Sequence, residues 1–67
     1  MTGRTVRSAP EDYLTVVEVA EQLRISQWKV YELIRSRELA SFLVGRCRRI
    51  PASAVAELVD RLLDEVA

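Results

Sequence analysis

Residues 14–37 read LTVVEVAEQLRISQWKVYELIRSR, and the fold turns on whether this stretch is one helix or two. Thr15 and Glu18 have the spacing of a capping box, in which a hydroxyl and a carboxylate each satisfy a free backbone N–H at a helix start. Val16, Val19, Ala20 and Leu23 then recur at helical spacing, which predicts a short helix over 16–23. Ser26 is a second N-cap. Val30, Leu33, Ile34 and the stem of Arg37 fall on one face of a second helix that runs from Ser26 to about Arg37. Arg24 and Ile25 make the tight connection, with Ile25 plugging the corner. At about 100° per residue, Trp28, Glu32 and Arg35 project from the opposite face of the second helix, with Lys29 and Tyr31 beside them.

Outward from this pair the pattern changes. Residues 40–44, Ala-Ser-Phe-Leu-Val, have strand character. Gly45-Arg46-Cys47 suits a hairpin tip, Gly45 supplying positive φ where the turn needs it. Arg48-Arg49-Ile50 is the return strand, and Pro51 stops it because proline cannot donate to a ladder. From Ala52 a helical stripe resumes with Val55, Leu58, Val59, Leu62, Leu63 and Val66, leaving Glu57, Asp60, Arg61 and Asp64 outside. Residues 1–12 are polar and without an apolar period, so they read as a flexible N-terminal arm, and 13–67 as the domain. The expected fold is mostly α with a small β-hairpin: a winged helix-turn-helix made of a helix-turn-helix, a two-stranded wing and a C-terminal helix.

A chain of 67 residues holds one domain with a thin core. It has one cysteine, Cys47, and no histidine, which excludes an intramolecular disulfide and a protein-only zinc site and removes the commonest general base. No Gly-rich phosphate loop is present and no serine has a base to activate it, so neither an enzyme nor a cofactor protein is expected. The acids Glu57, Asp60 and Asp64 read as a solvated helix face, and Cys47 as a small side chain on the wing. No apolar run approaches a membrane span and the first residues lack a secretory core. The expectation is a cytoplasmic protein, nucleoid-associated when bound to DNA, with no membrane and no small-molecule ligand.

The net charge is zero, yet its distribution is uneven. Residues 24–49 carry seven basic residues (Arg24, Lys29, Arg35, Arg37, Arg46, Arg48 and Arg49) against Glu32 and Glu38, a local net of +5, whereas residues 50–67 sum to −3. A basic block between acidic flanks points to double-stranded DNA, because a binding surface is a local property. In a helix-turn-helix the N-terminal part of the second helix meets base edges. Gln27 suits adenine, Lys29 guanine, and Glu32 the N4 amine of cytosine, while Ser26 and the helix start favour a phosphate. Trp28, exposed opposite the apolar stripe, and Tyr31 at its rim read as interface residues. Arg46, Arg48 and Arg49 on a narrow projection suit phosphate contact and minor-groove insertion. Arg24, Arg35 and Arg37 are further backbone candidates, Arg35 and Arg37 also complementing the helix dipole.

The run Leu14 to Leu23, then Ile25-Ser26, Val30 to Arg35, Glu38-Leu39, Val44-Gly45 and Arg48-Arg49-Ile50-Pro51, resembles the excisionase-type DNA-binding family within the MerR-like winged helix-turn-helix group. The resemblance covers about residues 13–60. It implies that helix 16–23 supports helix 26–37 in the major groove while the wing around Gly45-Arg46-Cys47-Arg48 lies along the minor groove or backbone. It also implies a recombination directionality factor that binds and bends DNA near an attachment site and helps an integrase run excision. Two departures stand out: members often carry arginine where this chain has Gln27 and Glu32, and glycine in the turn that Arg37 occupies. A small MerR-like transcriptional regulator is the alternative reading, and a protein-interaction module centred on Trp28 a further one. The acidic last helix facing the basic block of a neighbour would give cooperative, head-to-tail binding of copies on DNA.

Overall fold

The computed structural model describes residues 12–66, which form β1 (Tyr13–Leu14), α1 (Val16–Leu23), α2 (Gln27–Arg35), β2 (Phe42–Val44), β3 (Cys47–Pro51) and α3 (Ala52–Val66). The arm expected over residues 1–12 lies outside the described residues except for Asp12. That residue is tied in, its carbonyl accepting from the Ala52 N–H at 2.9 Å.

α1 begins as its sequence dictates. The Thr15 hydroxyl accepts from the Glu18 N–H at 3.1 Å, and the Glu18 carboxylate accepts from the Thr15 N–H at 2.9 Å. Both donors would otherwise be orphaned at the helix start. Ser26 caps α2 in the simpler way, its hydroxyl accepting from the Lys29 N–H at 3.0 Å. α2 ends at Arg35, earlier than its apolar pattern suggests. Arg37 sits beyond the helix with φ of 68°, so its stem is not part of the helical face.

The expected two-stranded wing is the β2–β3 hairpin, and a third strand that the sequence pattern did not show, β1, extends its sheet. The sheet has three antiparallel strands in the order β1-β3-β2, with Tyr13 opposite Pro51 and Leu14 opposite Ile50 on one side, and Phe42 opposite Arg49 and Val44 opposite Cys47 on the other. Two residues are too few to show a period of two, which is why β1 escaped the sequence pattern. Ala40 and Ser41 lie outside β2, and the tip is the Gly45-Arg46 turn, with Cys47 already in β3. Gly45 has φ of 62° and open space where a Cβ would stand, so the turn needs glycine for its backbone angle and not for room. Pro51 belongs to β3 and ends it. The donor it lacks is supplied by the next residue, Ala52, to Asp12.

The core gathers one or more side chains from each larger element: Val16, Val19 and Ala20 of α1, Val30 of α2, Leu39 of the following loop, Ile50 of β3, and Ala54, Val55 and Leu58 of α3. Leu14, Leu23, Ile25, Leu33 and Ile34 pack around it, Ile25 at the corner as expected. No buried polar side chain interrupts it among the described residues. The stripe of α3 is only half used. Its first turns are buried, while Leu62, Leu63 and Val66 remain exposed.

Candidate nucleic-acid interface

Because Val30 is fully buried, the helical period turns the opposite face of α2 outward. Trp28, Lys29, Tyr31 and Arg35 are exposed there, with Trp28 at 63% accessible, and Gln27 is exposed at the start of the helix, nearer the Val30 side. A tryptophan so placed at the start of a helix contributes little to the core. The Lys29 ammonium meets the Glu32 carboxylate at 3.2 Å, one turn along the helix, with both side chains near half exposed. An exposed pair at this spacing stabilises a helix by only about 0.2–0.5 kcal/mol. Its larger effect is on the surface: it cancels charge on the very face that is otherwise apolar and amphipathic, through Trp28 and Tyr31. Ser26 precedes α2 and is exposed, its hydroxyl committed to the cap.

The hairpin is charged differently. Arg46 stands exposed at the tip. Arg48 and Arg49 are adjacent on β3, so they project to opposite faces of the sheet. The Arg48 guanidinium donates to the Ser41 hydroxyl at 2.6 Å, and the Arg49 guanidinium donates to the Arg48 carbonyl at 2.9 Å. Both are half-buried and held by neutral partners, so their charge is positioned without being neutralised. The sequence groups Arg46, Arg48 and Arg49 as one cluster at the tip. The structure divides them among the turn and the two faces. Outside Arg49, on the same face, Tyr13 and Phe42 meet edge-to-face with ring centroids 5.6 Å apart, bridging the two outer strands across β3. This aromatic contact was not foreseen, because it depends on the unpredicted strand β1. Cys47 is an exposed free thiol opposite Val44.

Arg24 closes α1 in the left-handed conformation, with φ of 58°, and is exposed immediately before the α2 cap. Arg35 occupies the last turn of α2. The candidate residues therefore fall into two structural groups: Arg24, Ser26, Gln27, Trp28, Lys29, Tyr31, Glu32 and Arg35 on or next to α2, and Arg46, Arg48 and Arg49 on the hairpin. Among the described residues no group of three or more His, Cys, Asp or Glu is placed to hold a metal ion, and no helix is long and apolar enough to cross a membrane.

Two short helices joined at a tight corner, an outward-facing second helix and an arginine-bearing hairpin define a winged helix-turn-helix, a DNA-binding class of fold. The family model described as "Helix-turn-helix domain" matches residues 13–62. An excisionase of Streptomyces ambofaciens is 43% identical over 54 residues, 81% of this chain and 87% of that protein. A protein named "Probable excisionase" in Saccharopolyspora erythraea is 44% identical over 50 residues, 75% of this chain but only 51% of the relative. The chain belongs to the excisionase family of helix-turn-helix proteins. No solved structure matches it.

Proposed function

We propose that the chain is a sequence-specific double-stranded DNA-binding protein that acts as a recombination directionality factor. It binds beside an attachment site, bends the duplex and promotes excision by an integrase, with no catalysis of its own. The observation that carries this reading is the outward face of α2, where Trp28, Lys29 and Glu32 are presented away from the core beside a hairpin whose arginines meet no carboxylate among the described residues. The names of the two relatives support the excision role. In this reading α2 lies in the major groove, with Gln27, Lys29 and Glu32 toward base edges and Tyr31 at the rim. Arg24, Arg35, Arg46, Arg48 and Arg49 hold phosphates, and the hairpin follows the adjacent minor groove. The working compartment is the cytoplasm, on DNA.

Copies bound to adjacent sites would meet head to tail. The exposed end of α3 carries Leu62, Leu63 and Val66 with Asp60, Asp64 and Glu65, a surface complementary in charge to the basic block of the next copy. Sedimentation on a duplex with several sites should then give stepwise, cooperative loading; isolated protomers at saturating protein would contradict the head-to-tail arrangement. The function itself is tested by a recombination assay that combines the protein with the integrase encoded nearest its gene and DNA carrying the attachment sites. Excision that depends on this protein supports the reading. Excision that proceeds equally without it, alongside a change in promoter output, would make the chain a small transcriptional regulator instead.

A further inference from the structure

Among the described residues, the non-glycine positions with positive φ are Arg24, at 58°, and Arg37, at 68°. Each closes a helix, with the following residue bonded back to the carbonyl five positions before it. After α1, the Arg24 and Ile25 N–H groups both donate to the Ala20 carbonyl, the second at 3.0 Å. After α2, the Arg37 N–H donates to the Ile34 carbonyl at 3.1 Å and the Glu38 N–H to the Leu33 carbonyl at 3.0 Å. The long bonds from Ile25 to Ala20 and from Glu38 to Leu33 are those of a Schellman closure. Its left-handed position favours glycine, because a Cβ there crowds the neighbouring carbonyl. This chain has two glycines and spends neither at these corners.

The surroundings hold the disfavoured geometry in place. Beside Arg37, the Ser36 hydroxyl contacts the Leu33 carbonyl at 3.1 Å and the Glu38 carboxylate at 2.9 Å, Leu39 is buried, and the Arg61 guanidinium donates to the Glu38 carbonyl. Beside Arg24, Ile25 packs against the core and Ser26 caps α2. The two guanidinium groups themselves are exposed and make no hydrogen bond or ion pair with the described residues. The backbone disfavours a side chain at both corners, and the described residues offer these side chains nothing to hold.

We propose that Arg24 and Arg37 are a matched pair of contacts to the phosphodiester backbone, one beyond each end of α2. The proposal rests on the DNA reading above. It adds Arg37 to the interface and gives Arg24 a partner. α2 has nine residues. At 1.5 Å per residue its axis is about 13 Å long, close to the roughly 12 Å width of the major groove. Where the helix axis crosses that groove, cations just outside both its ends stand near the two phosphate walls. A planar guanidinium pairs with phosphate through two parallel N–H bonds, which neither glycine nor asparagine at these corners could supply.

The variants Arg24→Gly and Arg37→Gly separate fold from binding, because glycine relieves the backbone and removes the charge. Each is compared with the wild type by thermal melting without DNA and by anisotropy of a labelled random-sequence duplex over a series of salt concentrations. The expected result is a Tm that holds or rises by up to about 5 °C. Affinity at low salt falls several-fold, and the slope of log K against log salt loses about one unit per arginine. Arg37→Lys, which keeps the charge, retains the slope. Glycine variants that bind with the wild-type slope would overturn the proposal while leaving DNA binding intact. A wild type whose binding ignores salt would overturn the DNA reading and the proposal together.

Discussion

The outward face of α2 and the β2–β3 hairpin both carry basic side chains, but they treat the charge in opposite ways. On α2 the Lys29 ammonium is held by Glu32 at 3.2 Å, so the first turns of the reading face are close to neutral and dominated by Trp28 and Tyr31, with the exposed charge of Arg35 confined to the last turn. On the hairpin, Arg48 and Arg49 are fixed by a hydroxyl and a carbonyl, and Arg46 is exposed at the tip with no partner among the described residues. A neutral face gains little from phosphates in general and gains from a particular arrangement of base donors and acceptors. Unneutralised arginines attract any duplex. We read the difference as specificity supplied by the helix face and sequence-independent attraction supplied by the hairpin together with the arginines flanking α2.

Both regions depend on one shared support, and the largest expected effect comes from removing it. Ile50 lies in the hairpin strand β3, which packs against α1 and α3, and it is fully buried in the core that Val30 of α2 also joins. Ile50→Ala should cost about 2–5 kcal/mol. A domain of this size has a total stability of only about 3–10 kcal/mol, so a thermal melt should show a protein partly unfolded at room temperature. A variant that melts like the wild type would mean that helix and hairpin are not held by a common core.

Next in size are the α2 substitutions. Lys29→Ala and Glu32→Ala should change the preference between related sites by about 1–3 kcal/mol, measured by competition binding, with little change on random DNA. Ser26→Ala removes the α2 cap and should lower stability by about 1 kcal/mol, read as a lower Tm with unaltered site preference. The smallest expected effect is on the hairpin. Arg46→Ala should weaken binding to all sequences alike and reduce the salt slope by about one unit. If Arg46→Ala and Lys29→Ala gave the same profile across sequences, the contrast between the two regions would be lost.

Much of the fold was legible from local chemistry. The Thr15–Glu18 box and the Ser26 cap fix both helix starts, because capping is decided by side chains within one turn. The bounds of α1 and the start of α3 follow from periodicity for the same reason. What escaped the sequence depends on partners distant along the chain. β1 exists only by pairing Tyr13 and Leu14 with Pro51 and Ile50, and the Tyr13–Phe42 contact exists only because β1 does. The early end of α2 reflects a Schellman closure at a residue other than glycine, so the usual stop signal is missing and Arg37 reads as helical. The outward position of Trp28 follows from period alone. The separation of Arg46, Arg48 and Arg49 needed the strand register.

The central claim is that this surface engages DNA through its charge. It is tested most directly by titrating a labelled random-sequence duplex with the wild-type protein at several salt concentrations and following anisotropy. If Arg24, Arg35, Arg37, Arg46, Arg48 and Arg49 each hold a phosphate, log K should fall against log salt with a slope of about −5. Absence of binding at low salt, or binding indifferent to salt, would contradict the account and turn attention to Trp28 as the centre of a protein interface.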